Sequence, residues 1–194
     1  MLRLQRYVPV QLNLFGMHVC GGRKDQMSRG NSSRRIVKIP DAYLEVLDLG
    51  NMLFPALYQL ENGLRLVIQN YITTCYGSNW WDVSLKKNLP DIWIYSYQQQ
   101  KRHAAMPWIG ASSRVQVLPI HLVTLGHLEE IIKKYRSDCI PQLFPTIEFF
   151  LGHMEVVKRV RNLYTHMFPC ITKSDCILAK REIRTLASHI NTRI

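Results

Sequence analysis

The stretch that decides the fold of this chain is TIEFFLGHMEVVKRVRNLYTH, from Thr146 to His166. Its apolar residues recur at steps of three and four, which is the spacing of an amphipathic helix. These residues are Ile147, Phe150, Leu151, Met154, Val157, Val160 and Tyr164. Pro145 suits the first turn of such a helix, and Pro169 cannot continue it. The sequence therefore predicts a long helix that ends near His166.

The end of this predicted helix carries Arg161, Asn162 and His166, whose side chains could cleave RNA without a metal ion. Arginine offers a fixed fork of donors to a phosphate that gains charge in the transition state. Histidine titrates near neutral pH and can take a proton from a ribose 2′-hydroxyl or give one to the leaving oxygen. The spacing alone is not specific. The competing pair Arg184 and His189 has the same spacing, but it lies close to the C-terminus, where chains fray.

The geometry of a helix limits how Arg161 and His166 can act together. Five residues correspond to about 500° of helical rotation, so the two side chains diverge by roughly 140°. One straight helix would not bring both groups to one phosphate. Two alternatives stay open at this point: the chain bends near His166, or two copies of the chain share one site.

Helical spacing in the rest of the sequence predicts an all-α bundle. Turn residues predict a short helix from Asp41 that ends at Gly50, and a long helix over about residues 55–75. Residues 90–101 are compatible with a helix, although 92–95 (IWIY) also has the composition of a buried strand. A loop is expected over about residues 105–117. Two more helices should begin at a Thr124 cap and at Ser174 or Asp175.

Around the Arg161–His166 motif the chain resembles the HEPN superfamily (higher eukaryotes and prokaryotes nucleotide-binding), whose ribonuclease members carry Arg-polar-x-x-x-His. Residues 60–68 (LENGLRLVI) and 76–81 (YGSNWW) resemble the first long helix and following turn of HEPN domains in abortive infection and RNA processing. Residues 119–132 (PIHLVTLGHLEEII) resemble the segment that leads to their motif helix. The resemblance covers about residues 53–190 and implies a HEPN-like helical bundle.

The resemblance also implies a function, namely a metal-independent endoribonuclease that leaves a 2′,3′-cyclic phosphate and a 5′-hydroxyl. It implies catalytic roles for Arg161, Asn162 and His166, with Glu61 and Arg65 as supporting positions in substrate binding. It further implies a homodimer with both motifs at the interface, and a role in antiviral defence or as a toxin held by an antitoxin or a defence-complex partner. The alternative is a non-catalytic HEPN module that binds nucleotide, RNA or a partner protein, or a helical scaffold in a larger assembly.

Several residues near these segments have a structural explanation beside the functional one. Lys158 and Arg159 fit a solvated helix face, and they could also widen a phosphate-binding strip next to Arg161. Glu61 and Arg65 are spaced as an ordinary i,i+4 helix pair. We expect packing rather than base stacking of Trp80 and Trp81, and surface or hydrogen-bonded roles rather than catalytic ones for His121, His127 and His153.

Composition excludes several classes of protein. The 194 residues contain five cysteines, an odd number without any CxxC spacing, which argues against a disulfide framework and a zinc site and fits a reducing cytoplasm. Histidines do not cluster with carboxylates at metal-ligand spacing, so no metal or other cofactor is expected. No uninterrupted apolar run is long enough to span a bilayer, so no membrane partner is expected.

The net charge of +11 is unevenly distributed. Residues 1–40 contain eight basic residues against Asp25 alone, so this basic N-terminal arm holds +7 and the helical domain over residues 41–194 holds the remaining +4. Such an arm attracts phosphate backbones, which makes RNA an expected partner. Glycine and serine in the arm fit a partly flexible solvated tail, and its Arg- and Ser-rich composition also fits a targeting peptide.

Overall fold

The computed structural model describes residues 40–105, 117–137, 143–166 and 170–193, and these residues are helical with no strand among them. The prediction of an all-α fold is confirmed. A π-helical turn (Trp81–Leu85) leads into the second helix, and a 3-10 turn (Pro119–Leu122) precedes the fourth. Within the described ranges the α-helices are α1 (Asp41–Tyr76), α2 (Lys86–Asn88), α3 (Pro90–Ala104), α4 (Leu125–Lys134), α5 (Ile147–Thr165) and α6 (Lys173–Asn191). Residues 1–39 of the basic arm and most of the expected loop after Ala105 lie outside the described residues.

α1 is one helix of 36 residues, so the predicted break at Gly50 is wrong. Pro55 lies inside it and removes a hydrogen bond from the ladder, at a cost of about 3 kcal/mol. Buried leucines on both sides of the proline offset this cost, because each contributes about 1.5–3 kcal/mol when it leaves water. They are Leu49, Leu53, Leu57, Leu60 and Leu64. Tertiary packing of a continuous apolar face therefore overrides the local signals of glycine and proline.

α1, α5 and α6 form the centre of the bundle. α6 runs parallel to α1, since Cys176 near its start lies against the carbonyl of Leu49 and Ile190 near its end lies against Gly63. A methyl group of Ile190 is 3.3 Å from the point where a Cβ of Gly63 would lie, so the side chain of Ile190 packs closely against this glycine. α5 runs antiparallel to both, because its last turn reaches Gly50 while its first turns lie at the far end of α6.

α4 and α6 begin where a capping side chain accepts a hydrogen bond from a free backbone N–H group. Thr124 caps α4 as predicted, and its hydroxyl accepts a hydrogen bond from the His127 backbone at 3.3 Å. α6 begins earlier than predicted, because the cap is Thr172 and Asp175 serves as the third residue of the capping box. Hydrogen bonds from Thr172 hold the pKa of Asp175 below its usual value.

Residues 92–95 belong to α3, so the helical alternative is right and the strand is not. Trp80 and Trp81 are buried where α1 gives way to α2, and the Trp81 indole donates to the Ser96 hydroxyl at 3.2 Å. The packing interpretation of this tryptophan pair is therefore confirmed. None of the helices in the described ranges is both long and apolar enough to cross a membrane.

Candidate functional site

The last turn of α5 places Arg161, Asn162 and His166 at one end of the bundle. The helix starts at Thr146, whose hydroxyl accepts from the Phe149 backbone at 3.1 Å. At the other end the His166 backbone N–H donates to the Asn162 carbonyl at 3.0 Å. This is the ordinary i→i−4 bond of a helix, and His166 follows the last helical residue as the cap, with φ −91° and ψ 7°. The helix is continuous from Arg161 to Thr165, so the chain reaches His166 without a bend, and a regular helix gives a divergence of roughly 140°.

Tyr164, inside the motif, fixes this end of α5 against α1. Its ring lies directly over Gly50, so closely that a Cβ built on Gly50 would fall within the ring. Gly50 is buried beneath the ring, and Tyr164 packs against the hydrophobic core. A glycine in the middle of a helix costs about 1 kcal/mol relative to alanine, and here the close approach of an aromatic ring explains it. The position of the motif therefore depends on the Gly50–Tyr164 contact.

Arg161 is half-buried, whereas Asn162 and His166 are exposed. The Arg161 guanidinium donates to the Asn162 side-chain oxygen at 3.5 Å, which is the long limit of a hydrogen bond and restrains the guanidinium weakly. The Thr165 hydroxyl donates to the Asn162 carbonyl at 3.2 Å and closes the helix end. The geometry offers a guanidinium and an amide side by side, with an imidazole one turn further along and facing a different direction.

Glu61 and Arg65 lie elsewhere on the molecule. Gly50 contacts the motif end of α5, and Glu61 is eleven residues further along α1, or about 16 Å. Arg65 instead donates to the Val123 carbonyl at 3.0 Å and pairs with Glu61 at 3.7 Å. Burial and the positive charge of Arg65 lower the pKa of His121. Arg65 and Glu61 thus connect α1 to the segment before α4. The structure does not place this pair next to Arg161.

Lys158 and Arg159 have different surroundings although they are neighbours. The Lys158 ammonium pairs with Glu129 of α4 at 2.6 Å, and Lys133 pairs with the same carboxylate at 2.5 Å. Glu129 is buried, and burial alone would raise its pKa. The hydrogen bonds and charges of the two lysines outweigh burial, so that the pKa of Glu129 is lowered. Lys158 thus joins α5 to α4. Arg159 is exposed, but about 200° of helical rotation separates it from Arg161, so the two side chains do not lie side by side on α5.

A histidine–carboxylate pair between α5 and α6 was not anticipated from the sequence. His153 Nδ1 contacts Glu182 Oε2, and Arg181 donates to the other carboxylate oxygen of Glu182 at 2.9 and 2.8 Å. Burial raises the pKa of Glu182, and the hydrogen bonds from His153 and Arg181 more than reverse this, so the pKa is lowered. The sequence did contain a signal, because Glu182 occupies an apolar position of α6 between Ala179 and Leu186.

His121, His127 and His153 were expected to be surface or hydrogen-bonded residues, and all three are hydrogen-bonded. The ring nitrogens of His121 and His127 accept from the backbone N–H groups of Leu118 and Thr124, at 3.0 and 3.4 Å. Burial lowers the pKa of His127, against a smaller opposite effect of Glu130. Over the described ranges no three His, Cys, Asp or Glu side chains are grouped as a metal ion would require.

No protein-family model, no curated protein and no solved structure matches this chain. The resemblance to the HEPN superfamily consequently rests on the residues quoted above. The function has to be argued from the chemistry of the helix end.

Proposed function

We propose that this protein is a metal-independent endoribonuclease of the HEPN type, with Arg161, Asn162 and His166 as its catalytic residues. The observation that supports it most is the position of all three at one solvent-facing helix end, anchored by Tyr164. Of the other residues considered for the site, Lys158 is held by Glu129, and Arg65 is held by Val123. At the motif end Asn162 and His166 are exposed and Arg161 is half-buried.

In the proposed reaction the 2′-oxygen of a ribose attacks the adjacent phosphorus, and the bond to the 5′-oxygen of the next nucleotide breaks. His166 takes the proton from the 2′-hydroxyl or supplies one to the departing 5′-oxygen. Arg161 stabilises the added charge on the phosphorane oxygens, and Asn162 holds the phosphate or orients its neighbour. The products are a 2′,3′-cyclic phosphate and a 5′-hydroxyl, so neither water nor a metal ion is needed for the cleavage step.

The straight end of α5 supports a site shared between two copies of the chain. With the side chains of Arg161 and His166 pointing about 140° apart, one phosphate is reached more easily by groups from two helices than from one. In a two-fold dimer each site would combine Arg161 of one copy with His166 of the other.

An apolar stripe on α1 supports the location of this interface. It consists of Tyr43, Leu47, Phe54 and Tyr58, which are 45%, 42%, 54% and 60% exposed. On a helical projection these positions fall within about 60° of one another, and Gly50 with its covering Tyr164 lies along the edge of the stripe. Exposed apolar patches of this kind mark surfaces that bind other proteins. A second chain packed on the stripe would lie beside the motif.

The decisive experiment is to measure RNA cleavage by purified His166→Ala and Arg161→Ala proteins. Loss of an acid–base group should reduce the cleavage rate by about 10²–10⁴-fold, and loss of the arginine by about 10²–10³-fold. Arg184→Ala and His189→Ala are matched controls with the same spacing on α6, and they should retain activity. Cleavage by the unchanged protein should persist in EDTA and leave cyclic phosphate ends. Unreduced cleavage by His166→Ala would remove the site assignment.

Whether two chains share one site can be tested by mixing two inactive variants. If each phosphate meets groups from opposite chains, a mixture of inactive Arg161→Ala and inactive His166→Ala proteins should regain part of the activity, because half of the sites in mixed dimers are intact. Light scattering should give about twice the monomer mass of 22.7 kDa. A fully active monomer would contradict the shared site.

Tight RNA binding without any cleavage would favour the non-catalytic HEPN module. Toxicity that is relieved by His166→Ala in growing cells would support a toxin.

A further inference from the structure

Two stacked aromatic rings with a lysine over each ring form a column on the outer face of α3. The Trp93 and Tyr97 rings are stacked, with centroids 5.5 Å apart and planes inclined by 7°. The Lys86 ammonium lies 4.5 Å from the centre of the Trp93 ring, and the Lys101 ammonium lies 4.6 Å from the centre of the Tyr97 ring. These four residues, Lys86, Trp93, Tyr97 and Lys101, form what we call the aromatic column.

The inner part of the aromatic column is fixed and its outer part is open. Trp93 packs partly against the core, and its indole N–H donates to the Asp82 carboxylate at 2.9 Å. Tyr97, one turn further along α3, is 46% exposed. Lysine side chains are flexible, and a cation over an exposed ring gains only a modest energy, so the lysines can leave the rings at low cost. A planar group can then take the place of an ammonium on a ring that is already held in position.

We propose that the aromatic column binds single-stranded RNA. An unpaired base would stack on the free face of Tyr97, and the displaced Lys101 would pair with the phosphate next to that base. This combination of an aromatic platform with nearby cations is how proteins bind single strands without sequence preference. Gln100 is exposed, and at seven residues from Trp93 it lies within about 20° of it on the helix, where its amide can reach a base edge.

The charge around the aromatic column fits a phosphate backbone. Over residues 82–103 the basic residues outnumber the acidic ones by four to two. One of the acids, Asp82, already accepts the hydrogen bond of the Trp93 indole. The basic residues are Lys86, Lys87, Lys101 and Arg102.

Stacking on Tyr97 requires a base whose face is uncovered. In a duplex the faces of the bases are covered by their neighbours, so a single strand should bind better than a duplex of the same length. A peptide would offer no row of phosphates to receive the displaced lysine. This inference does not rest on the proposed function, because binding to the aromatic column requires no cleavage and can be measured with RNA that cannot be cleaved.

The test is fluorescence anisotropy of the full chain with a labelled 2′-O-methyl oligouridylate of about a dozen nucleotides, a length within the usual range for single-strand sites. A base-free oligomer of the same length reports the contribution of charge alone. Tyr97→Ala should weaken binding of the oligouridylate by about 5- to 150-fold and leave binding of the base-free oligomer unchanged. Tyr97→Phe should bind normally. Ile177→Ala, which truncates an apolar side chain that is 60% exposed on α6, is the matched control and should have no effect.

A second variant tests whether Lys101 leaves the Tyr97 ring and pairs with a phosphate of the RNA. Lys101→Gln should make the dependence of log affinity on log salt shallower by about 0.7, the value for one phosphate contact on a single strand. Lys134→Gln on α4 is the matched control and should leave the slope unchanged. Equal losses for the oligouridylate and the base-free oligomer, unchanged binding by Tyr97→Ala, or equal affinity for single strand and duplex would each overturn the proposal. Binding to anionic vesicles or to a protein without binding to the oligomer would do the same.

Discussion

The contact between Gly50 and Tyr164 predicts that Gly50→Ala lowers the free energy of unfolding when the Tyr164 ring is present and raises it when the ring is absent. In the unchanged protein a methyl group at Gly50 would fall within the Tyr164 ring, so the ring must move. Overpacking of this kind costs about 1–3 kcal/mol. Against this, alanine is favoured over glycine inside a helix by about 1 kcal/mol. With an overpacking cost of about 2 kcal/mol, Gly50→Ala should lower the free energy of unfolding by about 1 kcal/mol.

In a Tyr164→Ala background the same substitution meets no ring. The overpacking cost is then absent, and only the helix propensity of alanine remains. Gly50→Ala should therefore raise the free energy of unfolding by about 1 kcal/mol in that background. The coupling between the two positions is thus about 2 kcal/mol, well above the roughly 0.5 kcal/mol within which independent sites add.

The four proteins of this double-mutant cycle can be compared by urea unfolding followed by circular dichroism. A coupling below about 0.5 kcal/mol would refute the close contact, since distant positions are additive to that precision. RNA cleavage in the same four proteins tests what the contact does for function. Displacing Tyr164 shifts the helix end that carries Arg161 and His166, so Gly50→Ala alone should also reduce the rate of cleavage.

Two further predictions concern the buried carboxylates. Lys158→Gln should lower the free energy of unfolding by about 1–2 kcal/mol, because it leaves buried Glu129 with Lys133 as its remaining lysine partner. Arg159 is exposed, so Arg159→Gln should change the free energy of unfolding by less than about 0.5 kcal/mol in the same urea assay. Stability should also fall on acidification. The pKa values of Glu129 and Glu182 are lowered by folding, so their stabilisation is present above about pH 4.3, the pKa in an unfolded chain, and is lost as the pH falls through the folded pKa values. Melting temperatures that stay constant from neutral pH to about pH 3 would contradict this.

Much of the fold could be predicted because apolar spacing determines which segments are helical. The pattern from Ile147 to Tyr164 places α5 correctly, and Thr124 marks the start of α4. The errors occurred where a local signal competed with packing. Gly50 and Pro55 are ordinary helix breakers in isolation, but the leucine face of α1 continues through both, and nothing near Gly50 in the sequence announces the Tyr164 ring that lies over it.

The candidate site was less predictable than the fold, since it depends on contacts between distant parts of the chain. Lys158 and Arg159 look equivalent in the sequence, yet one pairs with Glu129 and the other is exposed. The stacking of Trp93 and Tyr97 follows only once residues 92–95 are known to be helical, because in a strand Trp93 and Tyr95 would have shared a face instead. The buried acids are detectable in the sequence, since Glu129 and Glu182 each occupy a position between apolar residues at helical spacing.

The polar and aromatic residues along α5 differ in their surroundings. His153 and Lys158 each pair with a buried carboxylate, and Tyr164 covers Gly50. These three side chains therefore stabilise the fold, and their presence needs no functional explanation. Asn162 and His166 are exposed on the last turn, where substitution of a residue usually changes stability by less than about 0.5 kcal/mol. The proposed site combines an amide and an imidazole with a weakly restrained guanidinium, at a helix end whose position is fixed by the contact of Tyr164 with a buried glycine. The proposal accordingly requires that substitutions at Asn162 and His166 abolish cleavage without lowering stability, the reverse of the pattern expected for Lys158.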